Sequence, residues 1–348
     1  MAYTDIDKPS DYFNTILWTG DGTSSRDITG VGFQPDWVWT KSRDDTNAHN
    51  LFDVIRGALQ RLRVDTTDAE DTFANSLLGF ISDGFTVGDN GAINENTESY
   101  VAWNWLAGGT ASSNTNGSIT SQVSANTTSG FSIVSYTGTG SNATVGHGLG
   151  VIPSVVITKN RSTTSNFLVY HHKNTSAPQT EYLRLNTTDD TADLNTPWND
   201  TAPTSSVFSV GTATGSNGSG NSMIAYCFAE KKGFSKFGSY TGNGNADGTF
   251  VYTGFKPAMI IMKKSSSAGN NWRIFDNKRS TSGSNVIDKT LRPNTTAVEF
   301  SSNIDFVSNG VKIRSTDAET NTSGETYIYL AFAENPFVTS TGIPACAK

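Results

Sequence analysis

A short turn of aromatic residue, threonine and glycine occurs three times in the chain, as Trp18-Thr19-Gly20, Tyr136-Thr137-Gly138 and Tyr240-Thr241-Gly242. Fifteen residues beyond each glycine stands a proline (Pro35, Pro153, Pro257), and six further on a lysine (Lys41, Lys159, Lys263). Glycine and lysine are therefore 21 residues apart in all three copies. Gap-free matches over that length are an internal repeat, and a repeat commits the chain to copies of one structural plan.

The plan reads as strands. After each proline comes a run that is apolar on both faces: Trp37-Val38-Trp39, Val155-Val156-Ile157 and Met259-Ile260-Ile261-Met262. Such a run predicts a strand covered on both sides, entered at a proline that cannot donate to a ladder. A polar turn and a second strand follow, at Leu51-Phe52-Asp53, Phe167 to Tyr170 and Trp272 to Asp276. Phe80 to Val87 matches Phe306 to Ile313, and Asp83-Gly84 and Asn309-Gly310 predict hairpins. Repeat two lacks that signal. Each copy closes on one more strand: Tyr100 to Trp105, Met223 to Phe228 and Tyr327 to Phe332.

The expected fold is all-β, with three tandem antiparallel β-sandwich (jelly-roll-like) domains related by the repeat. The boundaries are a lead-in at 1–13, repeats at 14–108, 131–232 and 233–337, and a tail at 338–348. Residues 109–130, almost all Gly, Ser, Thr and Asn, read as a flexible linker. Only Lys231-Lys232-Gly233 separates repeats two and three, so these are expected to pack closely while repeat one stands apart.

Charge and composition narrow the function. A net charge of −7 argues against nucleic acid, which needs clustered Lys and Arg. No apolar run approaches the ~20 residues of a membrane span, and Met1 to Asp7 lacks the regions of a signal peptide. Two cysteines, Cys227 and Cys346, suggest no disulfide framework, with Cys227 a small core residue. The four histidines, His49, His147, His171 and His172, show no metal-ligand spacing. The acidic run Asp65, Asp68, Glu70, Asp71 lacks calcium-loop spacing and reads as a solvated loop. No nucleophile elbow, phosphate loop or facing carboxylate pair is evident. No enzyme activity and no cofactor are expected.

The candidate ligand or partner surface is Lys41, Lys159, Lys263 and Trp198. The preferred reading of the lysines is structural, each stem covering the end of a buried strand with its ammonium in water. Trp198, in Pro197-Trp198-Asn199-Asp200, is the aromatic best placed for a binding surface. Asp53 and Arg56, like Asp276 and Arg279, read as pairs bracing a turn. Glu230 and Glu334, repeat equivalents, share a structural job.

The stretches Ile6-Asp7-Lys8-Pro9-Ser10-Asp11-Tyr12-Phe13-Asn14, Trp18-Thr19-Gly20-Asp21-Gly22 and Gly32-Phe33-Gln34-Pro35-Asp36-Trp37-Val38-Trp39 resemble repeat-bearing proteins of marine tailed phages. So do Tyr100 to Trp105 and Ala331-Phe332-Ala333-Glu334-Asn335-Pro336-Phe337. The resemblance implies a virion component assembled in the host cytoplasm, of the tail-fibre, appendage or capsid-surface kind, and brings no catalytic residues. The expected partners are other virion proteins in the tail or capsid, with a host-surface glycan as a further one, and an oligomer is open. Tail or fibre apparatus, capsid decoration and a carbohydrate-binding module remain the alternatives.

Overall fold

The computed structural model describes residues 3–283 and 285–345; Cys346 lies outside them. The regular structure is almost entirely antiparallel strand, as expected. In repeat one, Phe13–Thr19, Ser99–Trp105, Trp37–Ser42, Asn50–Asp53, Gln60–Arg63 and Asp71–Thr72 lie side by side in that order. Repeat two lays out Phe131–Thr137, Ser222–Phe228, Val155–Asn160, Leu168–His171, Glu181–Arg184 and Ala192–Asp193 in the same order. Repeat three uses Ser235–Thr241, Thr326–Pro336, Phe255–Lys264 and Arg273–Asp276. In all three the first and last strands of the copy pair, and the proline-led strand lies on the far side of the last.

A smaller sheet covers one face of each. Arg26–Thr29, Gly84–Val87 and Leu77–Ile81 do so in repeat one, and Phe250–Tyr252, Gly310–Ile313, Phe300–Val307 and Val286–Thr290 in repeat three. Repeat two, without the hairpin signal, has only Ala143–Gly146 with Val207–Val210. The hairpin turns over Ser82-Asp83, since Ile81 pairs with Gly84, one residue before the expected centre. Gly84 is needed as a strand residue: a Cβ there would lie 1.9 Å from the Ile28 carbonyl oxygen.

The alternation along each proline-led strand decides how the copies assemble. Val38, Val156, Ile260 and Met262 point into their own sandwiches. Trp37, Trp39, Val155, Ile157, Met259 and Ile261 point the other way, into one core shared by all three copies. The ring contacts close the circle. Trp37 stacks on Tyr226 at 4.6 Å, Phe13 on Phe332 at 5.2 Å, and Phe228 meets Phe332 at 5.8 Å. The three larger sheets thus face one another about a common aromatic centre. A gap of about 10 Å³ remains among Trp37, Trp105, Phe228, Trp272 and Phe332, no more than one water's worth.

Two expectations on domain organisation give way here. Repeat one does not stand apart, because Trp37, Trp39, Trp103 and Trp105 are all in the shared core. The stretch at 109–130 is not a linker. Ser112–Asn114 and Ser121–Asn126 add two strands outside Phe131–Thr137, and Val123 is buried. Polar strands that cover a sheet edge need few apolar residues, so composition hides them. Pro257 also lies inside its strand, at a break in register with Thr326–Pro336, where the missing N–H is tolerated.

Candidate functional site

The interior charges gather where one sheet meets the next. Register makes Asp53, His171 and Asp276 equivalent, opposite Trp37, Val155 and Met259 respectively. Between repeats one and two, the Asp53 carboxylate accepts from Arg56 Nε at 2.5 Å and from the Tyr226 hydroxyl at 2.8 Å. Its other oxygen accepts from the Ile55 and Arg56 amides, so the pair does brace a turn, and a seam as well. Arg56 continues to Glu70 at 3.2 Å, and Arg161 of repeat two grips Glu70 with two bonds of 2.9 and 2.8 Å. Burial disfavours the Arg56 charge, but Asp53, Tyr226 and Glu70 more than offset it and hold the guanidinium above its ordinary range.

Repeats three and one are joined the same way. Asp276 accepts from Arg279 Nε at 2.5 Å and from Trp103 Nε1 at 3.0 Å. Arg279 and Arg43 share Glu299, with bonds between 2.8 and 3.0 Å. The acidic run of repeat one is therefore no solvated loop: Glu70 belongs to a seam, and Asp68 and Asp71 pair with Arg63 and Arg61.

The seam between repeats two and three has the same layout without the central ion pairs. His171 replaces the aspartate and donates from Nε2 to the Tyr329 carbonyl at 3.1 Å, while its Nδ1 accepts from the Lys173 amide. The equivalent of Tyr226 and Trp103 is Leu330, which has no donor to offer a carboxylate. Asn174 and Thr191 stand where the ionic seams have arginine and glutamate, joined at 2.9 Å. Thr191 N–H reaches Ser265 O just as Glu70 and Glu299 N–H reach Arg161 and Arg43 O.

The repeated lysines come out differently from expectation. Lys41, Lys159 and Lys263 are fully buried, so their ammonium groups are not in water. Lys159 Nζ donates to Thr67 O at 2.9 Å across a seam. Lys263 Nζ donates to Asn270 O at 2.7 Å and, across the next seam, to Thr188 O at 3.3 Å. Lys41 stays within its own turn, on Ser42 O and Asp45 O. Burial pushes all three down to about 8. They sit at three equivalent places and form no common surface.

Trp198 is no surface either. Its ring is buried in the second sandwich, 2% exposed, with its indole N–H on the Glu181 carbonyl. Cys227 is buried and free, as expected of a small core residue. Glu230 accepts from the Phe237 amide and Lys236 Nζ, and Glu334 pairs with Lys256.

A cleft of about 570 Å³ lies between the lead-in, the connector joining repeats two and three, and the tail. Tyr3, Tyr252 and Phe337 line it together with Asp5, Glu230 and Lys236. The sequence carried a signal for it. In Phe250-Val251-Tyr252 only the middle residue is buried, so period two sets two aromatic rings outside. Among the described residues no group of three or more His, Cys, Asp or Glu could hold a metal ion, and no helix is long and apolar enough to cross a membrane.

Fold and seams together define an all-β protein in which three sandwiches share one core. Residues 8–336 match the family described as a domain of unknown function, DUF7483, and the chain belongs to that family. The match runs unbroken through all three repeats. No curated protein matches the sequence.

Proposed function

We propose that the chain is a non-enzymatic structural protein of the exterior of a tailed-phage particle, carried in the tail or fibre apparatus, with capsid decoration as the alternative placement. The observation that carries this reading is the use to which the interior ionisable groups are put. Asp53 and Asp276 are each held by an arginine of their own repeat and by a donor from the facing one. Glu70 and Glu299 are held by guanidinium groups from both sides of a seam, and the repeated lysines are spent on backbone carbonyls. A carboxylate so held is poorly placed to exchange protons with a substrate, and a body closed by two such seams and a third of the same layout suits a load-bearing role. The resemblance of the lead-in and first repeat to phage virion proteins supports the particle setting.

The test is direct. Particles banded in a density gradient from a lysate of the producing host are expected to contain the chain, and gold-labelled antibody is expected to mark one fixed place on them. Absence of the chain from the banded particles overturns the proposal.

A further inference from the structure

We propose that the cleft of about 570 Å³ is a binding site for a neutral saccharide. Its walls combine two chemistries that a sugar requires at once. A pyranose ring has an apolar C–H face and a rim of hydroxyls that both donate and accept. Tyr3, Tyr252 and Phe337 supply rings that are 63, 61 and 39% exposed, all in one concavity. Exposed aromatic side chains scattered singly need no explanation, but three converging on one cleft do.

The polar members are fixed in place beforehand. Glu230 Oε1 accepts from the Phe237 amide at 2.8 Å and Oε2 from Lys236 Nζ at 3.2 Å. Asp5 Oδ2 accepts from the Lys232 amide at 3.1 Å, and the Asp5 amide donates to the Lys232 carbonyl at 2.9 Å. Each carboxylate keeps lone pairs beyond these bonds, and the Lys236 ammonium keeps donors. Hydroxyls bound by such groups lose little entropy on the protein side, because the groups already hold their geometry.

The rings are positioned too. A Cβ on Gly342 would lie 3.3 Å from the Tyr3 ring, and one on Gly254 3.5 Å from the Tyr252 hydroxyl. Both glycines have positive φ, 87° and 81°, and at Gly342 a Cβ would also crowd the ring beside it. The Tyr329 hydroxyl bonds the Tyr252 carbonyl at 3.4 Å and ties that strand to the sheet behind it.

Charge selects the class of saccharide. The two carboxylates, Asp5 and Glu230, are balanced by Lys232 and Lys236. A site so balanced offers a uronic or sialic acid no net attraction, whereas a neutral ring uses both signs through its hydroxyls. A peptide would be read by a sheet edge or an apolar groove; this wall interleaves aromatic and ionic groups.

The inference does not rest on the virion reading and is tested by a separate measurement. The full chain is screened on an array of neutral oligosaccharides of glucose, galactose, mannose and N-acetylglucosamine, and a binder is followed by saturation-transfer NMR and titration. Tyr252→Ala and Phe337→Ala are each expected to weaken binding about tenfold, the size of one lost aromatic contact, while Tyr252→Phe retains it. Both residues are exposed, so the thermal midpoint is expected to stay unchanged in all three. Failure of every neutral oligosaccharide to bind, binding indifferent to Tyr252→Ala and Phe337→Ala, or closure of the cleft by a second copy in sedimentation would each overturn the proposal.

Discussion

Two of the three seams are built on ion pairs and the third has neutral side chains at the same positions, yet all three carry the same backbone geometry. Thr191, Glu70 and Glu299 make the same cross-seam amide bond, at 3.0, 2.9 and 2.8 Å. The difference teaches that a buried polar set is replaced as a unit. Where the facing sheet presents a donor (the Tyr226 hydroxyl or Trp103 Nε1), the receiving position is an aspartate with its arginine. Where it presents Leu330, the receiving position is a histidine that turns its N–H to a backbone carbonyl. A carboxylate there would be buried without a partner, which is far costlier than a missing bond.

The largest effect that would sharpen this contrast is expected at the ionic seams. Asp53→Ala or Asp276→Ala takes the nearer carboxylate from an arginine whose side chain has no exposure, leaving it only Glu70 or Glu299 at 3.2 and 3.0 Å, and should cost about 3–5 kcal/mol. His171→Ala removes two neutral bonds, one to the Tyr329 carbonyl and one from the Lys173 amide, for about 1–3 kcal/mol. Urea unfolding followed by the fluorescence of the buried tryptophans measures all three. Equal losses would break the distinction between seams.

The third seam should in its turn be sensitive to mild acid. Burial, with the neighbouring His172, holds His171 down at about 3, against 6.5 in the unfolded chain. The charged form is thus penalised only when folded. Stability attributable to this group is whole above pH 6.5 and is lost as pH falls from there towards 3. By pH 5 the loss should reach about 2 kcal/mol. His49 is also buried and pushed well down, so wild type alone does not isolate the seam. His171→Gln keeps an N–H donor with no proton to gain; its stability should fall less than wild type between pH 6.5 and 5. Parallel pH curves for the two proteins would contradict the assignment.

Part of this was legible in the sequence and part was not, for physical reasons. Trp37-Val38-Trp39 announces a strand with two buried faces, because no polar residue interrupts it. Its period also places Val38 opposite to the tryptophans, yet nothing local says that the second face meets two other copies of itself. Contacts such as Tyr226 with Asp53 join residues too far apart in sequence for any local pattern. Trp198 misleads because Asn199 and Asp200, at positive φ, mark a loop while the ring between them and Pro197 turns inward. The cleft escaped because its aromatics come from three separate segments, with only Phe250-Val251-Tyr252 showing a pattern.

A smaller effect, of opposite logic, comes from exchanging a whole set. Asp53→His, Arg56→Asn, Glu70→Thr, Arg161→Ser and Tyr226→Leu together give the first seam the side chains of the neutral one. Ala225, the register equivalent of Tyr329, then offers the carbonyl. The five changes should cost under about 2 kcal/mol, less than Asp53→Ala alone, since no charge is left unpaired and coupled residues do not add. Losses that sum across the five would show that each residue acts for itself.

The smallest expected effect lies with the lysines, which do not divide as the seams do. Lys159 and Lys263 reach across seams, but Thr67 O and Thr188 O also accept from the Ser165 and Gly269 amides, so only Ser165 O and Asn270 O, within the lysines' own repeats, lose a partner with the ammonium. Lys159→Met and Lys263→Met should each cost only about 1 kcal/mol at neutral pH. Burial lowers the wild-type groups to about 8 from 10.4 in the unfolded chain. The folded state therefore carries the charging penalty in full below pH 8 and sheds it as pH rises towards 10.4, so this contribution to stability grows across that window. Each methionine variant should lose ground against wild type between pH 8 and 10 in denaturant titrations. Side-chain ammonium signals that titrate at the ordinary lysine position would instead mean that the carbonyls alone, bonded to a charged nitrogen, suffice to cancel the cost of burial.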